Sequence, residues 1–318
     1  MSVHVVVGAT GGTGSALVRE LLGRGEKVRA VSRRGDCAIQ GVEAIAADAS
    51  DAARMREVCV GATAVYNCVN PPFEQWRAVY PEAIRALVAA AGAAGAVLAF
   101  ADDTWMYGRV NGPMTEQTPV RPVTELGVFR AWLAEMTMAA HYRGDAQVVI
   151  ARAGELYGPN VESVLGQNLF GRAVVGRRPI WFGNPDLPLT PTYIGDFARG
   201  LATVAADPQA WGQVWHVPHA APTTGRELVG RLGQRLGRPL KPLVVSAAMT
   251  KPLKAVSPVV RIGASLLYQF EQPFVVDSGK YLAAHEGDAA TSYVDGIDRT
   301  VTWYQENRNL IRPSALPR

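Results

Sequence analysis

The sequence has few cysteines and no clustered metal ligands. Its three cysteines, Cys37, Cys59 and Cys68, are too few and too irregularly spaced to hold a domain together by disulfide bonds. No group of cysteine and histidine residues has the spacing of a zinc site. These absences exclude a disulfide-stabilised scaffold and a structural zinc domain, and they predict free thiols and no metal.

Runs of like charge and long apolar runs are also missing. The 318 residues carry a formal net charge of only +4, without any long run of Lys and Arg. We therefore expect no nucleic-acid patch and no membrane-surface patch. The longest apolar stretch, residues 86–101, is rich in Ala and Gly and too short for a membrane span. A strand pattern starts at the amino terminus with no apolar leader before it, so we expect a cytoplasmic protein.

Strand and helix patterns alternate along the first half of the chain. Short runs of β-branched or apolar residues predict six strands, at 3–7, 27–32, 43–47, 64–68, 97–100 and 147–151. Helical spacing predicts helices at 15–22, at 52–60, over a long segment that ends near 95, and at 124–142. Apolar strands that alternate with helices form a parallel sheet that is covered on both faces. The predicted fold class is therefore α/β, with a doubly wound parallel sheet.

After Arg152 the pattern changes and predicts a smaller region. Gly, Pro and aromatic residues become frequent between 154 and 193, as in loops that line a pocket. Helices are expected at 195–206, 223–236, 256–274 and 296–307, and Thr224 and Glu227 have the spacing of a capping box. We divide the chain into a nucleotide-binding domain, 1–153 with 191–216 returning to it, and a smaller substrate-binding region made of 154–190 and 217–318.

A glycine motif directly follows the first strand. Gly8, Gly11 and Gly14 lie between this strand and the first helix. In a Rossmann fold the first glycine permits a tight turn, the second lets the backbone approach a pyrophosphate, and the third allows the helix to pack closely on the strand. The helix amino terminus supplies amide donors. The motif predicts a dinucleotide site that includes Gly8, Thr10, Gly11, Gly12, Thr13 and Gly14.

The end of the second strand distinguishes NAD from NADP. An acidic residue there accepts from the ribose hydroxyl of NAD, whereas an arginine accommodates the extra phosphate of NADP. Here the sequence is Ser32, Arg33 and Arg34, and Asp36 follows too late for the ribose position. Because arginine donors match a phosphate in a bidentate way, the predicted cofactor is NADP(H). Solvated surface arginines are the alternative interpretation.

Two further strand ends belong to the same predicted site. Asp48, with Ala49 beside it, follows the third strand and is placed to accept from the adenine amino group. A helix N-cap is the simpler role for Asp48, and both roles can hold. The end of the fourth strand adds Cys68, Val69 and Asn70 to the predicted cofactor contacts.

Three more short motifs lie farther along the chain. They are Tyr107-Gly108, Leu156-Tyr157-Gly158-Pro159 and Tyr193-Ile194-Gly195-Asp196. With the glycine turn and Asp48, they resemble the extended short-chain dehydrogenase/reductases, which include NAD-dependent epimerases and dehydratases. The resemblance extends from Val3 to about Asn307. It implies a Rossmann domain, a smaller substrate-binding domain and a nicotinamide cofactor.

The resemblance also implies a catalytic set that this sequence lacks. In the family a Ser or Thr acts with a Tyr and with a Lys four residues after it; the Lys lowers the pKa of the Tyr, which exchanges a proton with the substrate. The matching positions hold Leu126 and Arg130, and no Lys occurs between Lys27 and Lys241. Arg130 can still bind the ribose but cannot act as a base, because guanidinium stays protonated.

Other residues are candidates for proton transfer. The Ser or Thr position corresponds to Asp103, next to Asp102, and repulsion between two close carboxylates would raise one pKa and give an acid at neutral pH. An ion pair with Arg130, or a helix cap, is the alternative role. Tyr157 is a second candidate acid. The predicted catalytic residues are therefore Asp103, Tyr157 and Arg130.

Aromatic and apolar residues near these positions favour a small, largely apolar organic substrate over a sugar nucleotide. The predicted substrate contacts are Phe73, Asp102, Thr104, Trp105, Met106, Trp132 and Asn168. Core packing explains Trp132 equally well. His216 and His219 are interpreted as structural.

The leading hypothesis is an atypical NADPH-dependent reductase of an activated double bond, an imine or a carbonyl. One alternative is a lyase, isomerase or cyclase that keeps the nucleotide bound. Another is a non-catalytic regulator that responds to NADP and resembles the NmrA-like members of the superfamily. A homodimer is compatible with each of these.

Overall fold

The computed structural model describes residues 2–246, Met249 and residues 264–311. The chain divides into two compact units. The first comprises Met1–Thr104, Leu126–Ala153 and Gly195–Val217. The second comprises Trp105–Glu125, Gly154–Ile194 and Pro218–Arg318.

Residues 105–125 belong to the second unit, although the sequence-based division places them in the nucleotide-binding domain. The backbone of Met114 explains this difference. Its amide donates to the carbonyl of Val275 at 2.8 Å, and its carbonyl accepts from the amide of Asp277 at 2.8 Å. The indole of Trp105 also donates to Gln269 at 3.2 Å. These partners lie far away in the sequence, so the local pattern does not reveal them.

Seven parallel strands form the large sheet of the first unit. In chain order they are Val3–Val7, Lys27–Ser32, Glu43–Ala46, Ala64–Asn67, Val97–Asp102, Gln147–Arg152 and Val214–His216. Their order in the sheet is seventh, sixth, fifth, fourth, first, second and third. This is a doubly wound α/β arrangement, so the predicted fold class is confirmed. The sequence does not predict the seventh strand of the sheet, because three residues carry too little periodicity.

The fifth strand is longer than predicted, and this matters for the site. It ends at Asp102 instead of Phe100. In the register of the sheet, Asp102 pairs with Arg152 of the sixth strand. Asp102 is therefore the last residue of a buried strand, not a loop residue, and its carboxylate lies beside a guanidinium at the carboxyl edge of the sheet.

Helices of the first unit follow the strands of the sheet. They are Gly12–Gly23, Ala52–Val58, Trp76–Ala94, Glu125–Tyr142 and Ile194–Ala206. Each corresponds to a predicted helix, with ends that differ by a few residues. Trp76–Ala94 ends at Gly95, whose left-handed φ of 65° makes it a C-cap. Within the described ranges, every helix is too short or too polar to span a membrane.

The second unit contains short paired strands and several helices. Leu156–Tyr157 pairs with Thr192–Tyr193, Pro188–Leu189 with Thr223–Thr224, and Ile180–Phe182 with Leu243–Val245. Its described helices include the π-helix Gly166–Gly171, Arg172–Val174, Gly225–Arg235, Gly279–Ala284 and Tyr293–Glu306. The predicted capping box of Thr224 and Glu227 is confirmed.

The helix predicted at 256–274 begins outside the described residues, which resume at 264. In the described part, Leu266–Phe270 forms a 3-10 helix. Phe274 is extended and bridges to Leu189. The carboxyl-terminal part of that prediction is therefore wrong. Phe270 and Phe274 are both buried, so burial of apolar side chains explains this run without helical periodicity.

Candidate active site

A cavity of about 230 Å³ lies at the carboxyl ends of the first, second and fourth strands, within the first unit. Ligands bind at such places in open α/β sheets, where the strand order reverses. The predicted cofactor residues that line it are Gly8, Thr10, Gly11, Ser32, Arg33, Asp48, Ala49, Cys68, Val69 and Asn70. The rest of the lining comes from Val7, Val31, Ala47, Pro71, Gln75 and Val79.

Some predicted cofactor residues do not line this cavity. They are Gly12, Thr13, Gly14, Arg34 and Arg130. The first turn of the helix Gly12–Gly23 contains Gly12, Thr13 and Gly14. Its N-cap residue is Gly11, which has no side chain to cap the helix. Gln75 and Val79 also line the cavity but are not predicted from the sequence, since the start of the helix Trp76–Ala94 carries no binding motif and only the fold brings it to the cavity.

Gly8 and Gly14 are required by the protein itself. Gly8 has a left-handed φ of 87°, and a Cβ atom there would lie 2.5 Å from the carbonyl oxygen of Cys68. At Gly14 a Cβ atom would lie 2.2 Å from the carbonyl oxygen of Gly8. At Gly11 the nearest atom would be 3.5 Å away, which is an ordinary contact. The protein has room for a side chain at Gly11, so the space beside this glycine fits a closely approaching ligand such as a pyrophosphate.

Opposite charges line the cavity near the second and third strands. Arg33 and Asp48 both belong to the lining. Asp48 accepts from the amide of Ser50 at 2.9 Å and from its hydroxyl at 2.6 Å. These bonds lower the pKa of Asp48, and the positive charge of Arg33 adds to the effect. The N-cap of the next helix is Asp51, so the simpler role considered for Asp48 does not apply.

Ser32 and Arg34 both bind Asp36. The Ser32 hydroxyl donates to Oδ1 of Asp36 at 3.0 Å, and Nε of Arg34 donates to Oδ2 at 2.9 Å. The side chain of Arg34 is 81% exposed. The two arginines therefore differ: Arg33 lines the cavity, and Arg34 forms an exposed ion pair.

A buried charged cluster lies at the end of the fifth strand. The carboxylate of Asp102 accepts from Nε of Arg130 at 3.0 Å and from Nε of Arg152 at 2.8 Å. Nε of Arg130 also lies 3.1 Å from Oδ2 of Asp103. Burial disfavours the charged guanidinium of Arg130, but Asp102 and Asp103 outweigh this effect and raise its pKa. The structure therefore shows the ion-pair role for Asp102, in place of the predicted substrate contact.

The expected repulsion between Asp102 and Asp103 is compensated in this geometry. Arg130 binds both carboxylates and Arg152 also binds Asp102, so two negative charges face two positive charges. The side chain of Asp103 is 23% exposed, whereas that of Asp102 is 0% exposed. Asp103 is thus the carboxylate of the pair that solvent reaches. Proton transfer by Asp103 stays a prediction, on the basis of its position and not of repulsion.

Tyr80 connects this cluster to the wall of the cavity. Its hydroxyl donates to the carbonyl of Val69 at 2.9 Å, and Nη1 of Arg130 donates to the same hydroxyl at 3.3 Å. Burial raises the pKa of Tyr80 to about 12, although Arg130 opposes this shift. The phenol therefore keeps its proton at neutral pH and supports the cavity wall. No sequence motif singles out Tyr80.

Tyr157 lies in the aromatic core of the second unit. It is 1% exposed, and its ring packs against Phe170, Tyr193 and Tyr293. A Cβ atom at Gly296 would lie 2.3 Å from its hydroxyl oxygen. This close packing argues against the predicted acid role.

Most of the other predicted substrate residues pack inside their own units. Phe73 packs against Trp76, and Trp132 packs against Phe129 while it stays 41% exposed. Thr104 is buried at the end of the fifth strand.

In the second unit, Met106 is fully buried, and the indole of Trp105 is bound to Gln269. Asn168 lies in the π-helix Gly166–Gly171. The hydrogen bond between Trp105 and Gln269 lies inside the second unit. Among the described residues, His, Cys, Asp and Glu side chains form no group that could hold a metal ion.

The part of the chain that contains the glycine turn and the large sheet matches a known sequence family. The pattern of the NAD dependent epimerase/dehydratase family matches residues 4–217. The chain belongs to this family. The predicted relationship to the extended short-chain dehydrogenase/reductases is thereby confirmed.

Solved structures share the fold over nearly the whole chain. A double mutant of dTDP-glucose 4,6-dehydratase from Streptomyces venezuelae, with NAD and DAU bound, has a TM-score of 0.76 and 21% identity, over 97% of this chain and 98% of that one. UDP-glucuronic acid 4-epimerase from Bacillus cereus, in complex with NAD, has a TM-score of 0.75 and 16% identity, over 96% and 99% of the two chains. At these identities the likeness establishes the fold alone.

One relative in sequence is 2'-dehydrokanamycin reductase from Streptomyces kanamyceticus. It is 27% identical over 139 residues, which are 42% of this chain and 40% of that protein. The match therefore spans less than half of the relative.

A comparison of Gly11 with Gly14 gives a first prediction. Gly14→Ala should destabilise the fold, because its Cβ would lie 2.2 Å from a backbone oxygen. Gly11→Ala should leave the free energy of unfolding within about 0.5 kcal/mol of wild type but weaken dinucleotide binding at least about tenfold. Urea unfolding and nucleotide titration of both variants check this. Unchanged nucleotide affinity in a folded Gly11→Ala variant would contradict the close approach of a ligand at Gly11.

The charged cluster gives a second prediction. Asp102→Asn leaves Arg130 and Arg152 buried without full compensation, so we expect a loss of about 3–5 kcal/mol in the free energy of unfolding. Asp103→Asn is the matched control: its more exposed side chain should cost about 1 kcal/mol or less. Urea unfolding measures both. Equal losses would mean that the two carboxylates share the structural role.

Proposed function

We propose that the protein is an NADP(H)-dependent oxidoreductase that reduces a carbonyl, an imine or an activated double bond of a small organic substrate. The observation that carries this proposal is the cavity where the strand order reverses, with space beside Gly11 and with Arg33 in its lining. Membership of the NAD dependent epimerase/dehydratase family supports a nicotinamide cofactor. The relative named as a reductase favours reduction over epimerisation or dehydration.

Each part of the cavity fits one part of the cofactor. The amino terminus of the helix Gly12–Gly23 suits the pyrophosphate, because backbone amides and the helix dipole favour an anion there. Asp48 suits the adenine amino group, and Arg33 suits the additional phosphate of NADP. Arg34 contributes less, since Asp36 already neutralises it.

The chemistry divides between cofactor and protein. When bound, the nicotinamide ring supplies the hydride. Arg130 keeps the end of the fifth strand in place through Asp102 and stays positively charged at neutral pH, so it does not exchange a proton with the substrate. Tyr80 supports the backbone of Val69 in the cavity wall. Asp103, the more exposed of the two carboxylates, is the group to which we assign proton transfer, at its carboxylate.

The substrate class depends on which proton donors the chain offers. The aromatic residues expected around an apolar substrate pack inside their own units, so they give no support for apolar character. The absence of Lys between 27 and 241 means that the Tyr and Lys pair of the family is not available in that segment. A substrate that is reduced with little help from a general acid, such as an imine or an activated double bond, suits this composition.

One observation favours a non-catalytic alternative. Arg130 binds both carboxylates in the place where the family has its proton-transfer residues. Groups that compensate each other in this way are typical of a structural ion-pair network as well as of a catalytic site. A protein that binds NADP and NADPH with different affinity, and that consumes neither, would fit this arrangement.

Cofactor preference provides a third prediction. Arg33→Asp should weaken NADPH binding by about ten- to a hundredfold, because it removes a charge-assisted contact and adds repulsion. NADH binding should change much less. Arg34→Ala is the control and should leave NADPH affinity within about threefold, since Arg34 is paired with Asp36. Titration of NADPH and NADH into wild type and the two variants measures these affinities. Equal losses of NADH and NADPH affinity in Arg33→Asp would contradict phosphate recognition by Arg33.

Turnover provides a fourth prediction. NADPH oxidation should be detected with at least one member of a panel of enones, imines and ketones. Asp103→Asn should lower that turnover about tenfold or more and change its pH profile, while NADPH affinity stays within about threefold. An unchanged rate and pH profile would rule out Asp103 as the proton donor. No turnover with the whole panel, despite tight NADPH binding, would favour the non-catalytic alternative.

A further inference from the structure

The turn after the second strand brings an acidic residue back to the strand end. The amide of Gly35 donates to the carbonyl of Ser32 at 3.2 Å. Gly35 has a left-handed φ of 69°, and a Cβ atom there would lie 2.9 Å from Cβ of Ala46. The turn is therefore fixed by backbone conformation and by packing against the third strand. As a result, Asp36 lies next to Ser32, although it is four residues later in the sequence.

The carboxylate of Asp36 is held by two donors, one on each oxygen. Oδ1 accepts from the Ser32 hydroxyl at 3.0 Å, and Oδ2 accepts from Nε of Arg34 at 2.9 Å. The Ser32 hydroxyl also lies 3.2 Å from the backbone oxygen of Asp36. The bonds from Ser32 and Arg34 lower the pKa of Asp36, so the group is ionised at neutral pH. Ser32 itself lines the cavity, which places this carboxylate at the edge of the site.

The charges at this end of the cavity are balanced. Arg33 and Arg34 are positive, and Asp36 and Asp48 are negative. Asp36 neutralises Arg34 directly, and Asp48 is close enough to Arg33 for the charge of the arginine to lower its pKa. A site built only to select a doubly negative phosphate would carry excess positive charge here.

We propose that Asp36 is a specificity-determining residue of the dinucleotide site, which holds Arg34 away from the phosphate of NADPH and offers a carboxylate to the ribose of NADH, so that the protein binds both cofactors. This inference rests on the proposed function. An acidic group at the end of the second strand accepts from the ribose hydroxyl, and an arginine there binds the phosphate. In this chain both groups reach that end, and their pairing sets the balance between the two cofactors.

The test is Asp36→Asn, measured by titration of NADPH and NADH into the full chain. Loss of the carboxylate frees Arg34 for the phosphate and weakens the contact with the ribose. The ratio of NADPH affinity to NADH affinity should therefore rise about tenfold. The rise should shrink between low and high salt, because the freed arginine is exposed and its charge is screened.

Two further variants separate this mechanism from a change in stability. In Asp36→Asn with Arg34→Ala, the gain in NADPH affinity should disappear, since it depends on the freed guanidinium. Asp186→Asn is the matched control, because Asp186 forms a similar exposed ion pair with Arg226 in the other unit; the affinity ratio should not change.

An unchanged ratio in Asp36→Asn overturns the inference, and so does a wild-type preference for NADPH of more than about a hundredfold. Both results leave the proposed function intact. Failure of the wild-type protein to bind either nucleotide would instead overturn the proposed function.

Discussion

The close approach of the first and fourth strands is the constraint on which the site depends. Gly8 turns with a left-handed backbone directly against the carbonyl of Cys68, at a distance where no side chain fits. This turn starts the first helix at Gly12 and leaves the space beside Gly11. The strand order reverses at the same place, so the second and fourth strands end on either side of the turn. The cavity follows from these backbone contacts.

A second level of organisation is electrostatic. At the fifth strand, Asp102 is buried between Arg130 and Arg152, and each of the three charges would be costly in the interior without the others. Tyr80 connects this cluster to the cavity wall, because its hydroxyl accepts from Arg130 and donates to the carbonyl of Val69. Strand register places Arg152 beside Asp102, and the helix Glu125–Tyr142 brings Arg130 to both carboxylates, so each charge of this cluster has an opposite charge next to it.

Ion pairs also organise the surface near Ser32, at the predicted cofactor site. Around Ser32, two arginines and two aspartates lie within one turn and one neighbouring strand end, and a glycine conformation decides which of them meet. Exposed ion pairs contribute little to stability. They can still decide which ligand is preferred, because selectivity depends on the difference between two binding free energies, and this difference can be small.

The fold class, six of the seven strands, the glycine turn and most of the cavity lining could be predicted from the sequence. These features are local: apolar runs of strand length, helical spacing and glycines at a strand end are all visible in neighbouring residues. The sequence does not show the left-handed turn at Gly35, which brings Asp36 back to Ser32. The sequence also leaves open whether Asp102 and Asp103 repel each other or pair with Arg130, because Arg130 and Arg152 are 28 and 50 residues away from Asp102. Which charges meet depends on the folded chain, since the pairing of strands brings together side chains that no sequence pattern relates.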